Sequence, residues 1–507
     1  MSVKFTPAVK AVIAAAVFAP LVAAAATPST TLYGGGGTLA QVAYTGDSWL
    51  STNGTTVNNP QLRLTDPADL GSLFGQFTAT TPPKSLEETS YPAISYCAIG
   101  SGGGRGVFYG ASGDLASNAC GNYTATNKNG FSGTGDEPNF AGSDAPLASS
   151  EYTEFLTNKG SSNTEGPNHT EPVQIPVIAG AIAMAYNNSD ITTQINLTES
   201  QICQVWSGAI NNWDQLGSYP SRPIVLVYRS DNSGTAFNFS NHLSTVCPTA
   251  VPTAVTGFST QSVFNLAFPG STSTTVVTPA GSVAESGNGG IVTEVNATDG
   301  AIGFAEVADA VARIKYAGAT VQFATVSIQP DVAALKGGAP GVTYHKWNPT
   351  SLGNRFTLPT GSVVADSVIT GNNANGQPIV ETVAAATGSA PPVPGCLFIV
   401  NPASIATAPT KQYSKVNKVG TTTYTEYKSY PIMAATYLLA YNTGNGADSM
   451  NIGELLASAY TGSGADDYNG VTTVGNNSTT GLVSAGYAYL SGVPAAFATT
   501  IKGCVKP

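Results

Sequence analysis

The chain has 507 residues, of which 10% are charged, and a formal net charge of −10. Single hydrophobic cores stop growing at roughly 250 to 300 residues, so we expect two domains. The acidic balance argues against nucleic acid as a partner and gives an anionic ligand no long-range attraction. Any anion site must therefore depend on local hydrogen bonds and dipoles.

The first 26 residues have the three parts of a secretory signal. Two lysines precede an apolar stretch over residues 11–22, and Ala24-x-Ala26 ends the segment. A membrane anchor is the alternative, but the stretch is broken by Pro20 and is shorter than the roughly 20 apolar residues of a spanning helix. We therefore expect cleavage after Ala26 and a mature chain in the periplasm or outside the cell.

Six cysteines follow the signal segment, and an even number in an exported chain favours disulfides. Sequence alone permits 15 connectivities. We expect two short loops to be closed, and the third pair follows by elimination: Cys97 with Cys120, Cys203 with Cys247, and Cys396 with Cys504. No pair of cysteines is spaced as CxxC, so no metal site is expected.

Strand and helix signals alternate along the chain, between Gly- and Ser-rich stretches at residues 100–106, 270–290 and 361–390. The first signals are a buried strand at 175–187, then a Thr198-Glu-Ser-Gln201 capping box before a helix with Ile202, Val205, Trp206 and Ile210 on one face. Next come a buried strand at 224–228, a helix capped by Asn232 or Ser233, a strand and helix within 301–314, a strand at 431–441 and a helix at 452–460. This alternation predicts an α/β fold.

The segment Tyr228-Arg-Ser-Asp-Asn-Ser-Gly-Thr235 lies where a buried strand is predicted to turn into a helix. In open α/β sheets, ligands bind beyond the carboxyl ends of strands, where helix N-termini present N–H groups. Arg229 would supply a fork of donors, Ser233 and Thr235 hydroxyl donors, and Gly234 a close backbone approach. Taken alone, Ser-Gly-Thr at a helix start is most often only a cap.

Three further segments have site-like chemistry. Residues 34–39 (GGGGTL) form a glycine-rich turn that can aim N–H groups at an oxyanion, although they do not fit the GxxxxGK[ST] P-loop. Residues 99–104 (IGSGGG) form a second such turn, and residues 141–147 (AGSDAPL) contain Asp144. A carboxylate beside an anion repels it unless it accepts a proton that the ligand carries. Flexible loops and a solvated turn are the alternative readings.

Together these four segments, in the same order along the chain, resemble the site motifs of the periplasmic phosphate-binding proteins of ABC transporters and of their DING-protein relatives. The resemblance continues through residues 197–216, 300–306 and 430–441, and so spans most of the mature chain. It implies an α/β, class II periplasmic-binding-protein fold with a ligand cleft and a hinge between two lobes. Lobe 1 would hold residues 27–174 and 431–507, and lobe 2 residues 175–430 with an expanded segment at about 315–425.

Carried over by position, the resemblance implies phosphate, and also arsenate, as the ligand of one cluster of residues: Thr38, Leu39, Ser101, Asp144, Arg229, Ser233, Gly234 and Thr235. Asp231 would hold Arg229 from behind, and Asp144 would accept a proton from the ligand. The resemblance also implies a monomeric binding protein without catalytic residues or cofactors, and an ABC transporter permease is its candidate partner.

The sequence also departs from the family pattern. The separations from Leu39 to Ser101 and from Ser101 to Asp144 are longer than usual, and such insertions could rim the cleft and change what it admits. One alternative is a secreted phosphatase or other hydrolase, although no Ser-His-Asp arrangement, G-x-S-x-G motif or metal-ligand cluster supports it. Another is a surface-layer or adhesin-like structural protein, suggested by the low charge and the Ser, Thr and Gly content.

Overall fold

The computed structural model describes part of the chain, and the structural statements below concern that part. The described residues are 28–29, 31–45, 62–64, 73–74, 92–110, 123–124, 127–128, 137–161, 163, 166–250, 257–327, 356–357, 380–382, 396–400, 414–419, 422–427, 430–460, 487–489 and 496–507. The predicted signal segment at 1–26 and most of the predicted expansion at 315–425 lie outside them.

The elements within the described residues alternate between strands and helices. The strands are β1 (Thr31–Gly36), β2 (Leu62–Leu64), β3 (Ala93–Ala98), β4 (Tyr123–Thr124), β5 (Asn127–Lys128), β6 (Phe140–Ser143), β7 (Pro172–Asn187), β8 (Asn196–Thr198), β9 (Val225–Arg229), β10 (Val283–Glu285), β11 (Ala301–Glu306), β12 (Gln322–Phe323), β13 (Thr325–Ser327), β14 (Phe356–Thr357), β15 (Val380–Thr382), β16 (Phe398–Val400), β17 (Ser414–Val419), β18 (Thr422–Tyr427), β19 (Met433–Tyr441) and β20 (Tyr487–Tyr489). The helices are α1 (Gln41–Thr45), α2 (Ser101–Tyr109), α3 (Ser149–Asn158), α4 (Glu199–Trp206), α5 (Gly234–Ala250), α6 (Gly287–Ala297), α7 (Val307–Ala317), α8 (Ser449–Ala457) and α9 (Ala496–Cys504).

One mixed sheet organises the molecule, with strand order β10-β9-β11-β7-β19-β6-β1-β3-β2 and with β12 and β20 also paired to β7. The long strand β7 joins its two parts. Its residues 172–181 pair antiparallel with β19, whereas its residues 182–187 pair antiparallel with β11. We call β19, β6, β1, β3 and β2 the first half of the sheet, and β10, β9 and β11 the second half. All but the last residue of β7 are buried, as its long apolar run from residue 175 requires.

Parallel pairing aligns the strand ends within each half. In the first half, β1 pairs parallel with both β3 and β6. In the second half, β9 pairs parallel with both β10 and β11. The carboxyl ends of three strands therefore meet at one edge in each half, and the turns that follow these strands lie close together. All four segments singled out in the sequence contain such turns.

Each half of the sheet packs against an aromatic core. In the first half, the Tyr44 ring stacks on Phe74 with centroids 4.7 Å apart, and the buried Tyr96 donates its hydroxyl to the carbonyl of Gly37 at 2.7 Å. In the second half, Trp206 and Phe239 pack edge to face with centroids 5.1 Å apart. Such pairs add about 0.5–1.5 kcal/mol beyond the burial of their area. The Tyr96 hydroxyl ties the first core directly to the glycine-rich turn.

Two of the three expected disulfides are confirmed. Cys203 in α4 bonds Cys247 in α5, and Cys396 bonds Cys504 at the end of α9. Cys97 is disulfide-bonded as well, but its expected partner, Cys120, lies outside the described residues, so that pairing stays a prediction.

The α/β fold class is confirmed, and the predicted strands and helices of the middle and end of the chain are present. The Thr198–Gln201 capping box forms, with the Thr198 hydroxyl accepting from Gln201 N at 3.1 Å. Two details were wrong. The first concerns helix α4, which ends at Trp206 because the chain turns at Gly208, whose φ is 80°. Ile210 therefore lies beyond the helix.

No helix of the described residues is long and apolar enough to cross a membrane.

The second wrong detail is the segment at 99–104, for which the sequence predicts a glycine-rich turn. Helix α2 begins at Ser101 and runs through Gly102, Gly103 and Gly104. A side chain would not fit at Gly104, because its Cβ would lie 2.4 Å from the Cα of Gly36. Glycine, although it weakens helices, is thus required where this helix packs against strand β1.

Candidate functional site

Asp144 gathers the hydrogen-bond donors of the first half of the sheet. The backbone N–H of Leu39 donates to Asp144 Oδ2 at 3.2 Å, and the hydroxyl of Ser101 donates to the same oxygen at 2.9 Å. Ser101 Oγ in turn accepts from the Asp144 N–H at 2.9 Å. The Ser101 hydroxyl has only one proton, so it can serve either Asp144 or a ligand at any moment.

The second carboxylate oxygen of Asp144 has no hydrogen-bond partner among the described residues, although the residue is only 2% exposed. Burial raises the pKa of Asp144 to about 6, against the opposing effects of the Ser101 hydroxyl, the Leu39 N–H and the Arg229 charge. A Cβ on Gly37 would lie 2.6 Å from this oxygen, so glycine keeps the space beside it open. A dry, unpaired carboxylate oxygen is costly unless it meets a proton or a donor.

Arg229, at the end of β9, is fully buried. Its Nε donates to Asp231 Oδ1 at 2.6 Å and its Nη2 to Asp231 Oδ2 at 2.5 Å, so the two residues form a bidentate pair. Burial alone would raise the pKa of Asp231, but the Arg229 guanidinium outweighs it and the pKa lies below its ordinary value. Asp231 thus holds Arg229 in place.

Helix α5 starts at the site. Ser233 precedes it, and its hydroxyl accepts from Ala236 N at 3.1 Å, which makes it the cap. Thr235, fully buried, has a hydroxyl without a hydrogen-bond partner among the described residues. The starts of α5 and α2 both lie at predicted site residues, and helix N-termini favour anions.

The two halves of the sheet touch across the site. Gly102 N donates to the carbonyl of Asn232 at 3.0 Å, and the side-chain amide of Asn238 donates to the carbonyl of Asp144. A Cβ on Gly234 would lie 2.4 Å from Asp144 Cβ and 2.5 Å from the oxygen of Ser101. Only a glycine permits this approach, so Gly234 sets how closely the halves meet.

Two site residues were missed in the sequence. Asn288 is 1% exposed, and its Oδ1 accepts from Arg229 Nη1 at 3.1 Å. Arg105, in α2, is 3% exposed and donates through Nη1 to Ser143, which directly precedes Asp144. Asn288 stands in a glycine-rich stretch whose composition predicts a loop. Arg105 is the sole charged residue in its glycine-rich segment, and this is the only sequence feature that distinguishes it.

The structure brings all eight predicted ligand residues, and Asp231, to facing strand ends. Thr38 and Leu39 follow β1, Ser101 opens α2, and Asp144 follows β6. The other five run from the last residue of β9 to the first turn of α5. The described residues contain no group of three His, Cys, Asp or Glu side chains that could hold a metal ion. The arrangement offers one arginine, several hydroxyl and N–H donors, and one acceptor.

Comparisons with known proteins bear on this geometry. The chain matches the PBP superfamily domain over residues 87–387, which is more than half of its length. It is 34% identical over 224 residues to Alkaline phosphatase L of Pseudomonas aeruginosa, a match that covers 44% of this chain and 52% of that protein. It is 30% identical over 117 residues to Phosphate-binding protein PstS 3 of Mycobacterium leprae, covering 22% of this chain and 29% of that protein. The chain thus spans about half, or less, of the length of these relatives.

Among solved structures, a high-affinity periplasmic phosphate-binding protein (PfluDING) bound with phosphate is similar, with a TM-score of 0.53 and 20% sequence identity over 93% of each chain. At that identity the similarity concerns the fold. The fold class expected from the sequence and the resemblance to phosphate-binding and DING proteins are both confirmed. This chain belongs to the PBP superfamily.

Proposed function

We propose that this chain is an extracytoplasmic solute-binding protein that captures inorganic phosphate between its two lobes. The observation that carries the proposal is the unpaired, buried Oδ1 of Asp144 beside the buried guanidinium of Arg229. Such a site has one acceptor for a ligand proton and strong donors for ligand oxygens. Phosphate near neutral pH keeps at least one hydrogen, which can be donated to Asp144, and its other oxygens can accept from Arg229.

The donors of Arg229 support this assignment. A guanidinium has five N–H groups. Asp231 and Asn288 account for three of them, which leaves one on Nη1 and one on Nη2. Two adjacent N–H groups match two oxygens of a tetrahedral oxyanion. The Thr235 hydroxyl and the starts of α2 and α5 supply further donors to the same place.

Closure follows from the position of the ligand between the lobes. The first four ligand residues (Thr38, Leu39, Ser101 and Asp144) lie at strand ends of the first half of the sheet, and those from Arg229 to Thr235 lie at a strand end of the second half. An anion that engages both sets favours the closed state by its differential affinity for it. Phosphate should therefore reduce the radius of gyration measured by X-ray scattering, whereas an unchanged profile at saturating phosphate would contradict hinge closure.

The test of the function is thermal melting with phosphate, arsenate and sulfate. A ligand at 100 times its dissociation constant stabilises the native state by about 2.7 kcal/mol. We expect phosphate and arsenate, which are both protonated, to raise the melting temperature, and sulfate to leave it unchanged. No shift with phosphate, confirmed by calorimetry, would overturn the proposal.

An enzymatic role is the second candidate, because one relative is named Alkaline phosphatase L. We favour binding without hydrolysis, since a ground-state site that satisfies every oxygen of phosphate gives the transition state no added stabilisation. Steady release of p-nitrophenol from p-nitrophenyl phosphate, co-purifying with the protein and lost in Arg229→Ala, would support the enzyme instead. Uptake through an ABC transporter permease, in a periplasmic or secreted location, is the role proposed for the bound phosphate.

A further inference from the structure

Asn288 occupies a position that bridges the two halves of the sheet. It is the second residue of α6, and its side chain is enclosed between Arg229, at the end of β9, and Thr38, in the turn after β1. The sequence motifs include Arg229 and Thr38 but not Asn288 itself. The contacts of Asn288 with these two residues give it a role that does not require it to contact the ligand.

The chemistry of its neighbours fixes the orientation of the amide. Arg229 Nη1 and the backbone N–H of Glu306 approach one side-chain atom of Asn288, at 3.1 Å and 3.3 Å. Both are donors only, so that atom is the carbonyl oxygen and the amino group points the other way. There it donates to the hydroxyl of Thr38 at 3.4 Å.

The two contacts have different effects. The side-chain oxygen of Asn288 accepts from Nη1 of Arg229, while Asp231 accepts from Nε and Nη2. The two residues together fix the orientation of the guanidinium. The amino group reaches across to the first half of the sheet, where Thr38 is one of the proposed ligand residues. This second contact exists only while the halves are together, because Thr38 and Arg229 lie on different halves.

We propose that Asn288 is a positioning residue that couples closure to anion binding, since it fixes the guanidinium of Arg229 and ties it to Thr38 in the closed state. The proposal rests on the proposed phosphate-binding function. A contact that is present only in the closed state slows opening, so its loss should raise the dissociation rate of phosphate more than it lowers the association rate.

The test compares Asn288→Ala with Asn187→Ala. Asn187 holds the other end of the same helix, since its amide donates to the carbonyl of Asn296 at 3.0 Å. Both variants loosen α6, but only Asn288 contacts Arg229 and Thr38. We expect Asn288→Ala to raise the dissociation constant of phosphate on the order of tenfold, chiefly through faster dissociation in stopped-flow experiments, and Asn187→Ala to change it less than about twofold.

A double-mutant cycle with Thr38→Val isolates the bridge. This substitution removes the hydroxyl and keeps the side-chain shape. If Asn288 acts through Thr38, the effects of Asn288→Ala and Thr38→Val on phosphate affinity will be less than additive, because both remove the same contact. Strict additivity, or equal losses in Asn288→Ala and Asn187→Ala, would overturn the proposal.

The outcome also separates this inference from the function on which it rests. If the wild-type protein binds phosphate and Asn288→Ala binds it with unchanged rates, only the role of Asn288 fails. If the wild-type protein does not bind phosphate by calorimetry, the proposed function fails and the coupling role fails with it. Melting temperatures of all variants without phosphate show whether each one is folded.

Discussion

Ser101 and Asp144 exchange two hydrogen bonds of 2.9 Å, in which the serine hydroxyl donates to the carboxylate and accepts from the aspartate N–H. This exchange fixes the orientation of one carboxylate oxygen, Oδ2, and leaves Oδ1 as the oxygen that meets a ligand. The selectivity of the proposed site follows from it, because Oδ1 can accept a hydrogen bond from protonated phosphate but faces only repulsion from sulfate.

Asp144→Asn should therefore weaken phosphate binding moderately and admit sulfate. The substitution replaces an acceptor-only group by one that has both an acceptor and donors, while Ser101 can still donate to the amide oxygen. Competition titrations with phosphate and sulfate, on wild type and variant, measure the change. If the wild type binds both anions equally, or if the preference of the variant is unchanged, Asp144 does not select by protonation.

The pH dependence of stability without ligand should also reveal Asp144. Its folded-state pKa of about 6 lies above its unfolded value of 3.8, so its contribution to stability is full below about pH 4 and is lost as the pH rises to 6. Above pH 6 the buried charge costs about 3 kcal/mol. Asp144→Asn should thus be the more stable protein at pH 8, and urea unfolding should show this gap closing toward pH 4.

Asp299→Asn is the control of opposite sign. Hydrogen bonds from Ser189, helped by the charge of Arg222, hold the pKa of this exposed carboxylate below its ordinary value. Its stabilising effect is present above the unfolded pKa and is lost as the pH falls, so the variant should be slightly less stable at pH 8. A gap between wild type and Asp144→Asn that does not depend on pH would contradict the buried, titrating carboxylate.

Arg229→Ala should abolish most phosphate binding. Removing the partner of a desolvated anion costs on the order of 2 to 5 kcal/mol of binding free energy. The matched control is Arg222→Ala, because Arg222 also pairs with carboxylates, those of Asp190 and Asp299, but at the surface. Calorimetry should show normal phosphate affinity for Arg222→Ala, and similar affinities in the two variants would mean that the site lies elsewhere.

Gly234→Ala should weaken phosphate binding without a change of charge. The added methyl group would lie 2.4 Å from Asp144 Cβ, so the start of α5 and the Asp144 turn must move apart. We expect a loss of affinity of about 1 to 3 kcal/mol, the usual cost of overpacking. Gly503→Ala is the control, since its methyl group would meet nothing within 4 Å. Unchanged phosphate affinity in Gly234→Ala would show that the close approach of Gly234 to Asp144 is not needed for phosphate binding.

Removing the Cys203–Cys247 disulfide should destabilise the second half of the sheet. The bond joins residues 44 apart in sequence, and the chain-entropy model assigns a loop of that length about 4 kcal/mol. Replacing both cysteines by serine and measuring urea unfolding tests this value. The cysteines of the Cys396–Cys504 pair are 108 residues apart, so its removal should lower the free energy of unfolding slightly further, by an additional amount below about 1 kcal/mol. A smaller loss for this pair than for Cys203–Cys247 would argue against a purely entropic effect.

Much of the fold follows from local sequence signals, whereas the ligand residues were implied by the resemblance of four segments to a known family. The run at 175–187 and the Arg229-to-Thr235 turn were both predicted, because a buried strand needs continuous apolar residues and a helix start needs a cap. Asn288 could not be found this way. It lies in the first turn of a helix inside a Ser- and Gly-rich stretch, and composition there indicates a loop.

The role of Asn288 instead depends on tertiary structure. Only the parallel alignment of β9 and β10 brings the start of α6 beside Arg229. Similarly, the helix at Ser101 could be recognised only when the close packing of Gly104 on Gly36 was known. Helix propensity mispredicts a segment where two backbones must pack closely. Glycine is required there because it has no side chain, although it disfavours the helix.

Strand β19 has a consequence for the order of folding. It lies between β7 and β6, yet it comes from the end of the chain, and Tyr437 pairs with Ser143. The second half of the sheet needs only the contiguous stretch from β7 to β11, whereas the first half must wait for a strand that is synthesised much later. Pairing between such distant segments is slow. The half that carries Arg229 should therefore form first, and the half that carries Asp144 should be the last part of the protein to become native.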